Sequence, residues 1–374
     1  LKKVVFLIRS INIGGAEKQL LTLVRGIDRS GIDPVVVTFY PGGDLLPEFQ
    51  QAGITVISAQ KKRRWDILSF IFELVQIIKK EHPDVIICYL VAANLLGIFL
   101  KPFLSPAKII ISIRHSFINA HDYDFLTRTL YFLQDSFGWI SDRIIVNSYV
   151  GAKNAEKRGM PSKKMVVISN GIDIDQYQHN FEARKLTRDR FGVSEKTKAV
   201  GIIGRIDPVK DHESFIKAAK FVINEQPDIT FLVVGDGDPT LLDRLHVMVE
   251  DLEMKDNFIW ITAQKKMLGI YNSLDVCVSS SIGEGFSNVI AEAMACEIPC
   301  VVTDVGDSSR IVDETGIIVQ PGDPFIMAKG ILKILSLSEA ERESIGRNAR
   351  NRIVNEFSVE KMVASTIREI ETIG

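Results

Sequence analysis

The sequence predicts an α/β protein built from two Rossmann-like units in tandem, each an open parallel sheet covered by helices. Three observations predict it. Short β-branched runs alternate with longer amphipathic runs from end to end. The short runs are continuously apolar, as strands covered on both faces are. The alternation pauses once, at Ser169–Gln176, and then begins again. A chain of 374 residues, 46% apolar and 25% charged, is long enough for two such domains.

In the first half, Val4–Ile8, Val35–Phe39, Ile54–Ile57, Val85–Leu90, Ile109–Ile113 and Ile144–Asn147 read as strands. Helical patterns lie between several of them, at Ala16–Gly26, Ile67–Lys80 and Phe125–Trp139. In the second half the strand candidates are Ala199–Ile203, Thr230–Val234, Phe258–Ile261, Val276–Ser279, Pro299–Thr303 and Gly316–Val319. Helices are expected at Glu213–Asn224, Pro239–Leu252, Ser287–Cys296, Pro324–Leu335 and Glu339–Glu356, with a last one at Val359–Ile373. The expected domains are 1–172, 173–357 and a C-terminal helix, 358–374. Open α/β sheets bind ligands outside the carboxyl ends of their strands, so chemistry is expected in a cleft between two facing units.

Charge is divided unevenly. Leu1 to Asp175 holds 22 Lys and Arg against 16 Asp and Glu; the remainder holds 23 against 31. A basic first half suits an anionic partner such as a bilayer surface or a phosphate-bearing lipid, though chance serves equally well. Cys88, Cys277, Cys296 and Cys300 sit inside apolar runs and form no secreted-type framework, which points to a reducing cytoplasm. No stretch reads as a signal peptide. The longest uncharged apolar stretch, Val85 to Leu100, is shorter than the ~20 residues of a membrane-spanning helix and reads as a strand running into a helix.

Three motifs carry chemistry. Gly14-Gly15, in RSINIGGAEKQL, follows the first strand and opens a helix whose free N–H groups attract phosphate; a tight strand–helix turn is the plainer alternative. In IIGRIDPVKDHESFIKA, Arg205 and Lys210 place two cations beyond a parallel strand, suited to a diphosphate. In GEGFSNVIAEAMACEIPCV, Glu284 lies in a glycine-rich loop and Glu292 about two turns into the next helix. Glu292 suits two vicinal ribose hydroxyls, Glu284 a transferred sugar; a carboxylate merely favouring the helix dipole is the alternative.

Taken in order, the Gly-Gly loop, SNGID, GRIDPVKDHESFIKAA, VVGDGD and the Glu–seven–Glu stretch resemble glycosyltransferase family 4 over essentially the whole chain. The resemblance implies the GT-B fold, with the last helix crossing back to the first domain, and transfer with retention of configuration. By position, Arg205 and Lys210 match the basic pair on the donor diphosphate, Glu292 the ribose glutamate, and Glu284 the glutamate beside the sugar. Gly285, Phe286, Ser287, Asn288 and Val289 match the donor-binding loop and helix start. Gly14 and Gly15 match the first-domain loop that closes on the donor, and His115, in ISIRHSF, the histidine near the sugar; a structural histidine is the alternative. Glu297 departs from a frequent glycine, and Asp307 and Arg310 from a glycine and an acidic residue.

The implied reaction moves a hexosyl-type group from a nucleoside-diphosphate sugar, UDP by family frequency, to an acceptor hydroxyl, with the diphosphate helping to take the acceptor proton. The expected role is polysaccharide, lipopolysaccharide or glycolipid synthesis, with a carbohydrate or lipid-linked acceptor and no nucleic-acid partner. No metal is expected: Asp122-Tyr123-Asp124, Asp173-Ile174-Asp175 and Asp236-Gly237-Asp238 spell DxD outside its usual context, and the six histidines show no ligand spacing. Residues 61–80, KKRRWDILSFIFELVQIIKK, suit contact with the inner face of an anionic membrane; a sheet-covering helix is the alternative. An epimerase or hydrolase of GT-B type and a silent nucleotide-sugar-binding subunit remain as other readings. A nicotinamide oxidoreductase, which also uses tandem Rossmann units, is a third, but no GxGxxG follows the first strand with an acidic residue about 20 positions on.

Overall fold

The computed structural model describes residues 1–61, 66–114 and 124–373. His115, Asp122, Tyr123 and the run Lys62–Trp65 therefore lie outside the described residues. The chain forms two units, Leu1–Gly171 with Val359–Gly374, and Ile172–Ser358.

The first unit is a seven-stranded parallel sheet of β1 (Lys2–Ile8), β2 (Ile32–Thr38), β3 (Thr55–Ser58), β4 (Val85–Tyr89), β5 (Lys108–Ile113), β6 (Arg143–Val146) and β7 (Met165–Val167), in the order β3-β2-β1-β4-β5-β6-β7. Side chains alternate across a strand. Val4, Phe6 and Ile8 of β1 enter one core with Leu20, Leu23 and Val24 of the helix Gly15–Gly26. Val5 and Leu7 enter the other with Phe70, Leu74 and Ile78 of the helix Ile67–Glu81. That helix turns its other side outward, leaving Leu68 85% and Phe72 65% exposed. The run from Val85 divides as expected, into β4 and the helix Leu90–Leu104. β7 is a strand the sequence pattern hides, three residues behind Lys163 and Lys164.

The last helix, Val359–Ile373, belongs to this first unit and buries Met362, Val363 and Ile370 against Gly15–Gly26. The approach is close enough that a Cβ on Gly26 would meet Val363 Cγ2 at 2.7 Å. Gln19 fixes the unit's other end by clasping both backbone groups of Gly171, each at 3.0 Å.

The second unit is a six-stranded parallel sheet of β8 (Lys198–Ile203), β9 (Ile229–Val234), β10 (Phe258–Ile261), β11 (Val276–Ser279), β12 (Cys300–Thr303) and β13 (Ile317–Val319), in the order β10-β9-β8-β11-β12-β13. One face packs on the helices Asn288–Ala295 and Glu339–Glu356, the other on His212–Glu225, Pro239–Asp251 and Pro324–Leu335. An unanticipated helix, Phe181–Phe191, carries no apolar stripe. It is held by two arginines. Arg184 donates to the carbonyls of Asn272 and Leu274, and the fully buried Arg188 reaches the carbonyls of Ser273, Ser194 and Thr197 and the Asp275 carboxylate. Both folds are the Rossmann-like α/β architecture expected. All four cysteines are buried free thiols. Among the described residues no helix is long and apolar enough to cross a membrane.

Candidate active site

The second unit gathers most of the expected residues at the carboxyl ends of three neighbouring strands. Beyond β8 and β9 the two loops are laced together: Gly204 N donates to Val234 O at 2.9 Å and Ile206 N to Asp236 O at 2.9 Å. One carboxylate then organises both cations. Asp207 accepts from Arg205 Nε at 2.6 Å and from the backbone of Val209 and Lys210 at 3.0 and 3.2 Å. Arg205 is otherwise solvated, 77% exposed.

Lys210 points instead to Glu284, and the two form an ion pair. Ser281 Oγ donates to the same carboxylate at 3.0 Å. The loop after β11 is sewn to the loop after β8 by Ile282 N to Val209 O at 2.8 Å and Ser280 Oγ to Lys210 O at 2.7 Å. The loop after β12 presses on both. Gly306 adopts φ +57°, and a Cβ there would collide with the carbonyl oxygens of Glu284 and Gly285. Asp307 N donates to Gly285 O at 3.0 Å.

Phe286 and Ser287 are buried, Phe286 against Phe357 with ring centroids 5.4 Å apart. Asn288 and Val289 open the helix Asn288–Ala295, so Glu292 stands one turn into it, where the sequence suggested two. The helix starts one residue after the expected Ser287, which is its extended cap. Tyr271 donates its hydroxyl to Glu292 Oε2 at 2.6 Å, and Tyr177 meets Tyr271 edge-on at 5.7 Å. Burial first, and the Glu292 carboxylate second, hold both phenols above the ordinary tyrosine range. The same two causes push the Cys296 thiol up, so it stays protonated.

Gly14 and Gly15 lie in the first unit. Gly14 is the extended cap of Gly15–Gly26 and offers no side-chain cap, so the first N–H groups of that helix have no side-chain acceptor from the cap. A Cβ on Gly14 would collide with the Glu17 carboxylate, whose pKa burial raises. Lys210 and Glu284 are thus brought into contact, Arg205 is tethered nearby through Asp207, and Glu292 is held from a separate helix. The sequence did not single out Asp207, Ser281, Tyr177 or Tyr271. Asp207 was recoverable, as an aspartate before Pro208 is a familiar helix-cap signal. The tyrosines were not, since each acts across a long sequence separation.

Three DxD aspartates serve as backbone caps: Asp124 accepts from Thr127 N, Asp173 from Asp175 N and Gln176 N, and Asp238 from Leu241 N. Among the described residues no group of three His, Cys, Asp or Glu is placed to hold a metal.

A family model described as Glycosyltransferase Family 4 matches residues 13–176, and one described as Glycosyl transferases group 1 matches residues 197–337. The capsular polysaccharide biosynthesis glycosyltransferase CapM of Staphylococcus aureus is 31% identical over 193 residues, 51% of this chain and 50% of that protein. The UDP-Gal:alpha-D-GlcNAc-diphosphoundecaprenol alpha-1,3-galactosyltransferase of Escherichia coli is 26% identical over 204 residues, 54% of this chain and 52% of that protein. The chain spans about half the length of these curated relatives. Among solved structures, HepE of Anabaena in complex with UDP and glucose superposes with a TM-score of 0.86 at 21% identity, covering 100% of both chains. Sucrose-phosphate synthase of Thermosynechococcus elongatus gives 0.81 at 19%, covering 100% of this chain and 99% of its own. These structural likenesses carry the fold.

Proposed function

We propose a sugar-transfer reaction for this chain, which belongs to glycosyltransferase family 4 and has the GT-B fold. The donor is a nucleoside-diphosphate sugar, UDP-linked, and the acceptor is a hydroxyl of a carbohydrate or lipid-linked saccharide. The observation that carries this reading is the joining of Lys210, Glu284 and, through Asp207, Arg205 at adjacent strand ends, with Glu292 on the helix that follows.

In this reading Arg205 and Lys210 face the diphosphate and stabilise the charge it gathers as the sugar's C1–O bond breaks. The ammonium of Lys210 exchanges Glu284 for phosphate when the donor binds, and Glu284 turns to the sugar. The new C1–O bond forms on the face the diphosphate leaves, and the acceptor proton passes to a diphosphate oxygen, so configuration is retained. The family resemblance makes His115, Gly14 and Gly15 the first unit's candidates for contacts with the sugar and phosphates. No metal is required, since fixed cations do the work a divalent ion does elsewhere.

The names of two relatives, one of capsular polysaccharide biosynthesis and one a galactosyltransferase for a GlcNAc-diphosphoundecaprenol, support a role in envelope polysaccharide or glycolipid synthesis, and that role would set the chain in the cytoplasm at the membrane's inner face. Thermal shift against UDP, GDP, ADP and their sugar conjugates, with and without EDTA, tests the donor. Stabilisation by UDP species, unchanged by EDTA, is expected; no shift with any nucleotide overturns the reading. The anomeric proton coupling of the transfer product, read by NMR, tests retention.

A further inference from the structure

Tyr271 is only 1% exposed, yet its hydroxyl is spent on a single carboxylate oxygen, Glu292 Oε2, at 2.6 Å. A phenol this deep needs a hydrogen-bond partner, and its surroundings leave the ring one place to put it. The helix that carries it, Leu268–Ser273, is pinned by Asn272. That amide donates to Gln178 O at 3.0 Å and Leu268 O at 2.9 Å, and its oxygen accepts from Asn180 N at 2.7 Å. Tyr177 closes the ring's other side, edge-on at 5.7 Å. Tyr177 is itself fixed, because Arg350 binds its carbonyl at 2.8 Å together with the carbonyls of Ile174 and of Ala295, the last residue of the Glu292 helix. Hydroxyl and carboxylate are thus held in one frame, while Glu292 keeps part of its surface open to solvent.

A glutamate side chain in solution turns freely about its terminal bond, and a carboxylate that must accept from two neighbouring hydroxyls gains from having that rotation removed beforehand. We propose that Tyr271 is a positioning residue that orients Glu292 toward the nucleotide's ribose, and that it thereby sets a preference for ribonucleotides over 2′-deoxyribonucleotides. The proposal rests on the donor reading above and adds to it the residue that makes the glutamate selective. Tyr271 itself does not touch the nucleotide. Its effect is read through the sugar's 2′-hydroxyl, which a general packing defect would not single out.

The test is calorimetric titration of the full chain with UDP and with 2′-deoxy-UDP. Wild type should favour UDP by about 10-fold or more, the size of a hydrogen bond to a charged acceptor. Tyr271→Phe, which keeps the ring and removes only the hydroxyl, should bring the ratio to about 3-fold or less while 2′-deoxy-UDP affinity changes little. An unchanged ratio in a variant that binds UDP overturns the positioning role and leaves the donor reading standing. Failure of the wild type to bind UDP overturns both. If Tyr271→Phe does not fold, Tyr271→Leu, which also removes the hydroxyl and leaves Glu292 in place, is measured instead; the ratio should fall in the same way, and a preserved ratio overturns the proposal.

Discussion

Arg188 Nη2 lies 2.8 Å from Asp275 Oδ2, with the arginine fully buried and the aspartate nearly so. Asp275 also accepts from Ala199 N at 2.8 Å, at the start of β8. Arg184 Nη2 holds the other oxygen of Asp275 at 3.2 Å, so Arg188→Met leaves that carboxylate one arginine but leaves the carbonyls of Ser273, Ser194 and Thr197 without their donor, and should destabilise the second unit by about 2–4 kcal/mol. Urea denaturation followed at Trp260, the one tryptophan between residues 172 and 358, measures it. A loss under about 1 kcal/mol would show the pair to be dispensable.

Glu284 and Arg205 should fail differently. Glu284→Ala removes the group proposed to face the sugar and should lower kcat by about 100-fold or more with a smaller change in UDP affinity. Arg205→Ala should weaken both kcat and UDP binding. Steady-state kinetics beside calorimetry separate the two, and unchanged turnover in both would remove these residues from the site.

Glu297 holds φ +64° as the residue after the cap of Asn288–Ala295. Its N–H reaches Met294 O at 3.0 Å and that of Ile298 reaches Ala293 O at 3.0 Å, the bonding of a glycine-terminated helix. Glu297→Gly should therefore stabilise the protein by about 1 kcal/mol in chemical denaturation. An equal or lower stability would mean that the glutamate side chain compensates the backbone.

His212 is buried with neither ring nitrogen paired among the described residues. Burial is the main cause that lowers its pKa from 6.5 to about 4; Asp207 and Asp211 oppose the fall and Lys210 adds to it. Between these values the unfolded chain binds the proton more readily than the folded one. The stability this residue supports is therefore whole above pH 6.5 and falls as pH drops toward 4, by roughly 3 kcal/mol in all. His212→Leu should flatten that part of the stability profile, and a profile of unchanged slope would exclude the histidine as its source.

Leu68 and Phe72 stand outward on a helix that ends in Lys79 and Lys80. If this face meets an anionic bilayer, flotation with anionic liposomes should recover the protein better than with neutral ones, and Leu68→Glu with Phe72→Glu should abolish the difference. Equal recovery in both lipids removes the membrane contact.

The sheets were legible in the sequence because each strand is its own signal: a buried β-branched run such as Val4–Ile8 can be little else. The helix Phe181–Phe191 was not, because its place is fixed by Arg188 and Arg184 reaching carbonyls some 85 to 90 residues away, and no local pattern records that. β7 was lost because three residues make too short a run. The same division runs through the site. Glu284, Glu292, Arg205 and Lys210 sit in compact motifs that spacing reveals, whereas Tyr271 contacts Glu292 only through the fold, and Asp207 was overlooked although its place before Pro208 signals a cap.

Because Val359–Ile373 completes the core begun by Leu1–Gly171, the order of completion reverses the order of synthesis. Domains generally fold as units while the chain emerges, the earliest first. Here the second unit, contained wholly within Ile172–Ser358, has all its residues before the first has its closing helix. Until then the nascent first unit exposes the surface around Gly26 and Gly171 that Val359, Met362 and Val363 will cover. A ribosome carrying this chain thus holds an unfinished hydrophobic surface through the whole translation of the second unit, which makes that interval the one in which a chaperone has something to bind.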